Sequence, residues 1–449
     1  MKNRNESSTG TFLRAISLIA CLILQAYSAL AQTAAPGTLG GNQVVDTTDW
    51  GQWKRNCSQM VDGFKGKTFF NCAESAFRNR PFHFYAQSIV PGSGVGGGGQ
   101  YVKTPNFGKW QNTFSATSVI TIRQFWMADV KFSMLRTIDR DWNTAQEGLG
   151  LNFYVHNRSM PVLTFYGLGP NTNVNNSVKF GLRDTAAGGE FSTPVRGWLS
   201  VGGKFEGLWP DVSGVTGKNV VSIQQQYTEQ TAPGLTSQPP MIHEQIYLRP
   251  HKRFFKQRFE IDYSVGYNFY QDTDTGHFSF RRLEAILDHR FYPERKRHGA
   301  VIADNYFNFR WRYAVSDASA GNAVPFYLQE TLGGSDIDNQ PTLRAFKDYR
   351  FRGPNLMMVQ AEYDRRLCRE CNVCKDGLIR TVCSHLGLLV AYDAGKVALR
   401  KSDLDFSGMH QSFGGGVSIY VGKDVVFRMA VALGGGEGAH PYFGVANFL

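Results

Sequence analysis

The chain has 449 residues, a formal net charge of +11 and a mean hydropathy of −0.29, and it is rich in Gly (48), Phe (33) and Tyr (19). Beyond its N-terminus no apolar stretch is long enough for a membrane helix, which excludes a helical membrane bundle. The mean hydropathy would suit a soluble protein, but it equally suits strands whose inward polar residues cancel outward apolar ones.

Residues 1–31 read as a secretory signal peptide. Lys2, Arg4 and Arg14 precede the apolar stretch from Ala15 to Leu24, and Ala29-Leu30-Ala31 offers a small-x-small cleavage site. Leu18-Ile19-Ala20-Cys21 loosely suggests a lipoprotein signal, disfavoured because apolar residues continue past Cys21. A membrane anchor is disfavoured because the run is too short to span. Export removes nucleic acid from the expected partners. The basic balance then fits a charged lumen or loops facing anionic lipid.

Residues 32–92 show no strand series and read as a short periplasmic segment. Cys57 and Cys72 lie close enough in sequence to bond, and an oxidising compartment favours a disulfide.

From Gly94 onward strand signals follow one another. Gly94 to Thr104, Gln111 to Ile122, Gln124 to Arg136, Leu149 to Arg158, Val174 to Asp184 and Phe191 to Phe205 come first. The glycine run Gly94 to Gly99 lacks the Lys-Ser/Thr and helix of a phosphate loop, and suits a barrel strand that must bend. A long irregular segment, Glu206 to Pro239, precedes Met241 to Arg249 and Phe259 to Phe269. In the latter, Phe259, Ile261, Tyr263, Val265, Tyr267 and Phe269 alternate with Glu260, Asp262, Ser264, Gly266 and Asn268. That is the pattern of a strand with one face in lipid and one in water. Phe278 to Phe291 and Val301 to Tyr313 follow, the second setting Phe307, Phe309, Trp311 and Tyr313 against Asn308, Arg310 and Arg312.

Val324 to Glu330 leads into a loop containing Leu343-Arg344-Ala345-Phe346. Two strands come after it. Met357 to Arg366 alternates strictly, with Met358, Gln360, Glu362 and Asp364 on its polar face. Leu386 to Gly395 carries Asp393 opposite Leu388, Val390 and Tyr392. An arginine away from bulk water needs carboxylates, and Glu362 and Asp393 sit on adjacent strands within reach if the loop folds inward. Between these strands Cys368, Cys371, Cys374 and Cys383 could hold zinc or an iron–sulfur cluster by spacing. Strand parity places them in the periplasm if the chain ends on that side, and two disulfides are then favoured over a metal. Ser412 to Val421, Val425 to Leu433 (with Arg428 facing the lumen) and Tyr442 to Leu449 complete the series.

The arginine loop and the run Val390-Ala391-Tyr392-Asp393-Ala394-Gly395 resemble the BamA/TamA-type outer-membrane assembly barrels, also called bacterial surface antigens. Phe165-Tyr166-Gly167-Leu168-Gly169 and Pro233-Gly234-Leu235 look like two further segments of that family. The resemblance implies an (L/V)-R-G-(F/Y) loop tucked into the lumen. Arg344 would be its anchor, Glu362 and Asp393 its counter-charges, Phe346 an apolar plug and Gly395 part of the second motif. Ala345 stands where the family has glycine, and alanine tolerates a left-handed turn poorly. The penultimate place of Phe448, before Leu449, is a mild departure from the family's aromatic end. No POTRA domain is visible before the barrel, which resembles the family's short branch.

The expected fold is all-β: a transmembrane antiparallel barrel of about sixteen strands over 93–449, with an inward-folded loop between strands 11 and 12. A soluble sandwich with such outward aromatic rows would aggregate. The histidines are scattered and no nucleophile motif is present, so neither an enzyme nor a cofactor or metal site is expected. The expected partners are the lipid bilayer and, from the resemblance, unfolded outer-membrane protein clients or accessory periplasmic proteins. A passive pore or structural outer-membrane protein is the alternative function.

Overall fold

The computed structural model describes residues 81–107, 110–137, 148–218, 220–255, 257–293, 305–367, 385–421 and 424–445. Among them runs a 17-stranded sheet in which the two-residue strand Asn106–Phe107 continues the strand before it, leaving sixteen wall strands. In chain order these are β1 Phe82–Gln87, β2 Gly96–Lys103, β3 Trp110–Thr121, β4 Trp126–Thr137, β5 Gly148–Phe165, β6 Val178–Arg196, β7 Leu199–Gly214 and β8 Met241–Phe254. There follow β9 Phe259–Asp272, β10 Phe280–Phe291, β11 Asn305–Ala318, β12 Asn355–Arg366, β13 Leu386–Ala398, β14 His410–Val421, β15 Asp424–Leu433 and β16 Ala439–Val445. Each pairs antiparallel with the next, from β1–β2 through β15–β16.

The alternation of side chains sorts the two faces. Outward positions such as Ile120, Phe153, Phe205, Ile246, Phe307, Val390, Phe413 and Phe443 are exposed. Their neighbours one residue away, Asn152, Glu206, Asn308, Ala391 and Ser412 among them, are buried. Such an apolar belt is stable only in lipid. No helix among the described residues is long and apolar enough to cross a membrane.

The sheet is rolled around the 319–354 loop between β11 and β12, as the expected architecture requires. Within this loop Asn339 donates to Ile89 O just after β1 (2.9 Å), and Asp338 meets Arg158 on β5 (3.3 Å). Asp336 meets Arg312 on β11 (2.6 Å), and Ser335 meets Tyr442 on β16 (3.0 Å). One short segment touches the connection after the first strand and the fifth, eleventh and last strands, so the wall surrounds it. The connections after odd-numbered strands share one rim with this loop. They include the long 215–240 and 319–354 segments, whereas the opposite rim has the two-residue turn 197–198. Long loops facing outward and short turns facing the periplasm are the usual polarity.

Where the loop rim meets the lumen, an apolar cluster fills the interior. Phe165, Phe180, Leu182, Val212, Ile223, Leu235, Phe326 and Tyr327 pack together from β5, β6, β7 and the two long loops. Phe326 makes edge contacts with Phe165 (5.3 Å) and Phe180 (5.1 Å). The loops therefore cap this end of the cylinder.

Three boundaries differ from the sequence reading. The wall starts inside the 32–92 segment, not at 93, because Phe82–Gln87 pairs with the glycine strand β2. Gly99 has no side chain to signal that pairing, and the Phe82 ring covers the space a Cβ there would need. Phe191 to Phe205 is not one strand but two, divided by the turn at 197–198. The supposed irregular segment from Glu206 is wall as far as Gly214. Gly and Pro disguise that stretch, yet Pro210 sits in register with Asp184 and Gly188 accommodates Glu206 behind it. The signal peptide and all six candidate cysteines, Cys57, Cys72, Cys368, Cys371, Cys374 and Cys383, lie outside the described residues.

Candidate functional site

The loop that carries Arg344 turns on Gly333 and Gly334, at φ 115° and 53°. A Cβ on Gly333 would strike the Lys347 carbonyl, and one on Gly334 the Asp348 carboxylate, so only glycine permits the approach. Thr342 Oγ1 accepts from Gly333 N at 2.8 Å, and Phe346 N donates to Leu343 O at 3.0 Å. The tight turn at 343–346 leaves Ala345 outside the left-handed region, which Tyr349 enters instead at φ 57°. The departure from glycine at 345 therefore strains nothing. Ala345 N donates to Ser412 Oγ at 2.8 Å.

This geometry places the Arg344 guanidinium wholly inside the lumen, 1% exposed. Nη2 donates to Glu362 Oε2 at 2.9 Å, Nη1 lies 3.2 Å from Asp393 Oδ1, and the backbone N donates to Asp393 Oδ2 at 3.1 Å. Burial works against the charge, but Asp393 and Glu362 outweigh it and hold the guanidinium above its ordinary pKa. Glu362 and Asp393 come from β12 and β13, whose register sets Gln360 beside Asp393. Gln360 Nε2 donates to Asp393 (3.0 Å) and to Thr342 O (3.0 Å), fixing both carboxylate and loop.

Phe346 and Gly395, the remaining residues singled out in the sequence, belong to the same assembly. Phe346 is buried against Phe351 (5.3 Å) and His410 (5.5 Å), in an apolar cluster with Leu332, Leu343, Met358 and Val397. Gly395 lies under the Leu332 side chain on the wall of β13.

The network extends beyond the residues expected. Arg428 on β15 donates to Glu362 Oε1 at 2.9 Å, so Glu362 sits between two guanidinium groups. Arg428 also lies 3.4 Å from Asp364, which accepts hydrogen bonds from Ser418 and Tyr420. The alternation already pointed Arg428 and Asp364 inward, but nothing local says which strands face each other across a lumen. Chemically the site binds and braces. Its buried ion pairs tie the loop to β12, β13 and the inner face of β15.

No protein-family model and no curated protein matches the chain by sequence. Solved structures do match by shape. BamA from Haemophilus ducreyi lacking POTRA domains 1–3 superposes with a TM-score of 0.52 at 10% identity, over 82% of this chain and 69% of that one. CdiB from Acinetobacter baumannii aligns with a TM-score of 0.46 at 12% identity, over 84% and 67%, and CdiB from Escherichia coli with 0.49 at 10%, over 81% and 61%. With the apolar belt and the loop-filled lumen, the shape identifies the chain as a β-barrel of the BamA-type fold in the bacterial outer membrane.

Proposed function

We propose that this barrel serves outer-membrane assembly or translocation, acting without catalytic chemistry on unfolded outer-membrane protein clients or on lipid. Accessory periplasmic proteins are its other expected partners. The observation that carries the reading is Arg344, a loop arginine buried between two wall carboxylates on neighbouring strands. A long loop drawn into the lumen and fixed there by ions narrows the passage for solutes. A barrel whose wall must open for a client needs an internal brace that holds the remaining strands in place. The apolar cap also counts against the passive-pore alternative.

Depletion in the native host tests the proposal, with quantification of other outer-membrane barrels beside uptake of a small dye. A fall in the other barrels is expected. Unchanged barrel levels with altered dye uptake would reject assembly in favour of a pore.

A further inference from the structure

β3 and β4 end at a turn over residues 122–125, whereas β5 and β6 run on to the Phe165–Val178 pair. The step between them leaves an open cleft of about 580 Å³ at the loop rim. Three cations line it from three separate segments: Arg123 from the turn, Lys179 from β6 and Lys347 from the arginine loop. Arg123 donates to Gly92 O at 2.8 Å and Lys179 to Thr164 Oγ1 at 2.5 Å, both uncharged acceptors. Among the described residues none of the three forms an ion pair. Asp348 also lines the cleft, but burial pushes its carboxyl pKa up, and Ser335 N donates to it at 3.0 Å. Positive charge dominates the cleft.

Its surroundings are equally specific. Ile122 and Val162 line the cleft and are exposed, and just below them exposed Ile120 pairs with Trp126 on the last rung of β3–β4. An apolar lip under a ring of cations is what a lipid meets at the membrane edge: acyl chain below, headgroup above. A free phosphate would leave the lip uncovered.

We propose that this cleft binds the phosphorylated headgroup of an anionic lipid from the leaflet around the loop rim, with the phosphate among Arg123, Lys179 and Lys347. The inference is independent of the assembly role.

The folded full-length chain in maltoside micelles would be titrated with dihexanoyl phosphatidic acid, with dihexanoyl phosphatidylcholine and with inorganic phosphate, following tryptophan fluorescence and thermal midpoint. Phosphatidic acid is expected to shift both signals, and the other two to shift neither at the same concentration. Lys347→Gln, on an exposed loop position that does not threaten folding, should weaken binding roughly fivefold. Adding Lys179→Gln should weaken it further. Lys401→Gln, in a different loop, should leave binding unchanged. Equal binding of phosphatidylcholine would show a merely apolar site, and equal binding of inorganic phosphate a free-anion site. Either result, or full affinity in Lys347→Gln, overturns the proposal.

Discussion

Phe346 and Gly435 occupy one shared volume: a Cβ on Gly435 would fall inside the Phe346 ring. Gly435 lies in the turn between β15 and β16 at φ 61°, so the tip of the arginine loop rests directly on the last hairpin of the wall. The contact joins the 319–354 loop to β15–β16 as Arg344 joins it to β12–β13.

Gly435→Ala should therefore displace Phe346 as well as strain its own backbone, at a cost of about 1–3 kcal/mol. Phe346→Ala alone should cost about 3–5 kcal/mol, because the ring is buried against Phe351 and His410. The two changes share one contact, so their effects should sum to less than additive. Urea unfolding of the two single variants and the double in micelles measures this coupling. Strict additivity would mean the ring and the turn do not depend on each other.

Among the described residues, Arg344→Ala leaves Asp393 with Gln360 and the backbone N–H of residue 344, and leaves Glu362 with Arg428 and Tyr306. Breaking a buried pair in this way costs about 3–5 kcal/mol. The folded form on an unheated gel should convert at a lower temperature than wild type. Exchanging the charges (Arg344→Asp with Asp393→Arg) should recover part of the loss, since the pair is remade with reversed sign. Wild-type heat resistance in Arg344→Ala would show that the guanidinium braces nothing.

Much of this architecture was legible because a barrel wall writes itself into sequence with period two. β9 and β11 show it plainly, through Phe259 to Phe269 against Glu260 and Asn268, and through Phe307 to Tyr313 against Asn308 and Arg310. Arg344 and its two acids were legible for a related reason: adjacent strands place alternate residues side by side. Where side chains are small the signal disappears. β2 begins with four glycines, and β6 passes through Ala186-Ala187-Gly188-Gly189; both strands depend on neighbours that supply the bulk. Contacts across the lumen leave no local trace either. Arg428 lies 66 residues from Glu362, and only the curvature of the whole sheet brings the two together.

Ala345 offers a test of the turn itself. Its backbone is not left-handed and its N–H is engaged by Ser412, so alanine meets the local geometry without strain. Restoring glycine here should bring no gain. Ala345→Gly should lower stability by about 0.4–1 kcal/mol, through the greater freedom of the unfolded chain. A clear rise in the unfolding midpoint would show that alanine is strained at this position after all.

The cap makes the final prediction. Phe326 is fully buried at its centre, between Phe165 and Phe180, and Arg352 Nη1 donates to the Phe326 carbonyl at 2.6 Å. Arg350 ties the same loop to Thr172 Oγ1 at 2.6 Å and to Glu437 in the β15–β16 turn. Truncating the ring removes the packing that unites β5, β6 and the two long loops, whereas the wall ladders are untouched. Phe326→Ala should therefore loosen the cap before it loosens the barrel. In planar bilayers the wild-type protein should conduct little, and Phe326→Ala should show larger and more frequent openings at an unchanged gel shift. The two measurements separate a gate from a general loss of folding, because an unfolding barrel would lose its gel shift along with its seal. Steady high conductance in the wild type would show that the apolar cluster does not close the lumen.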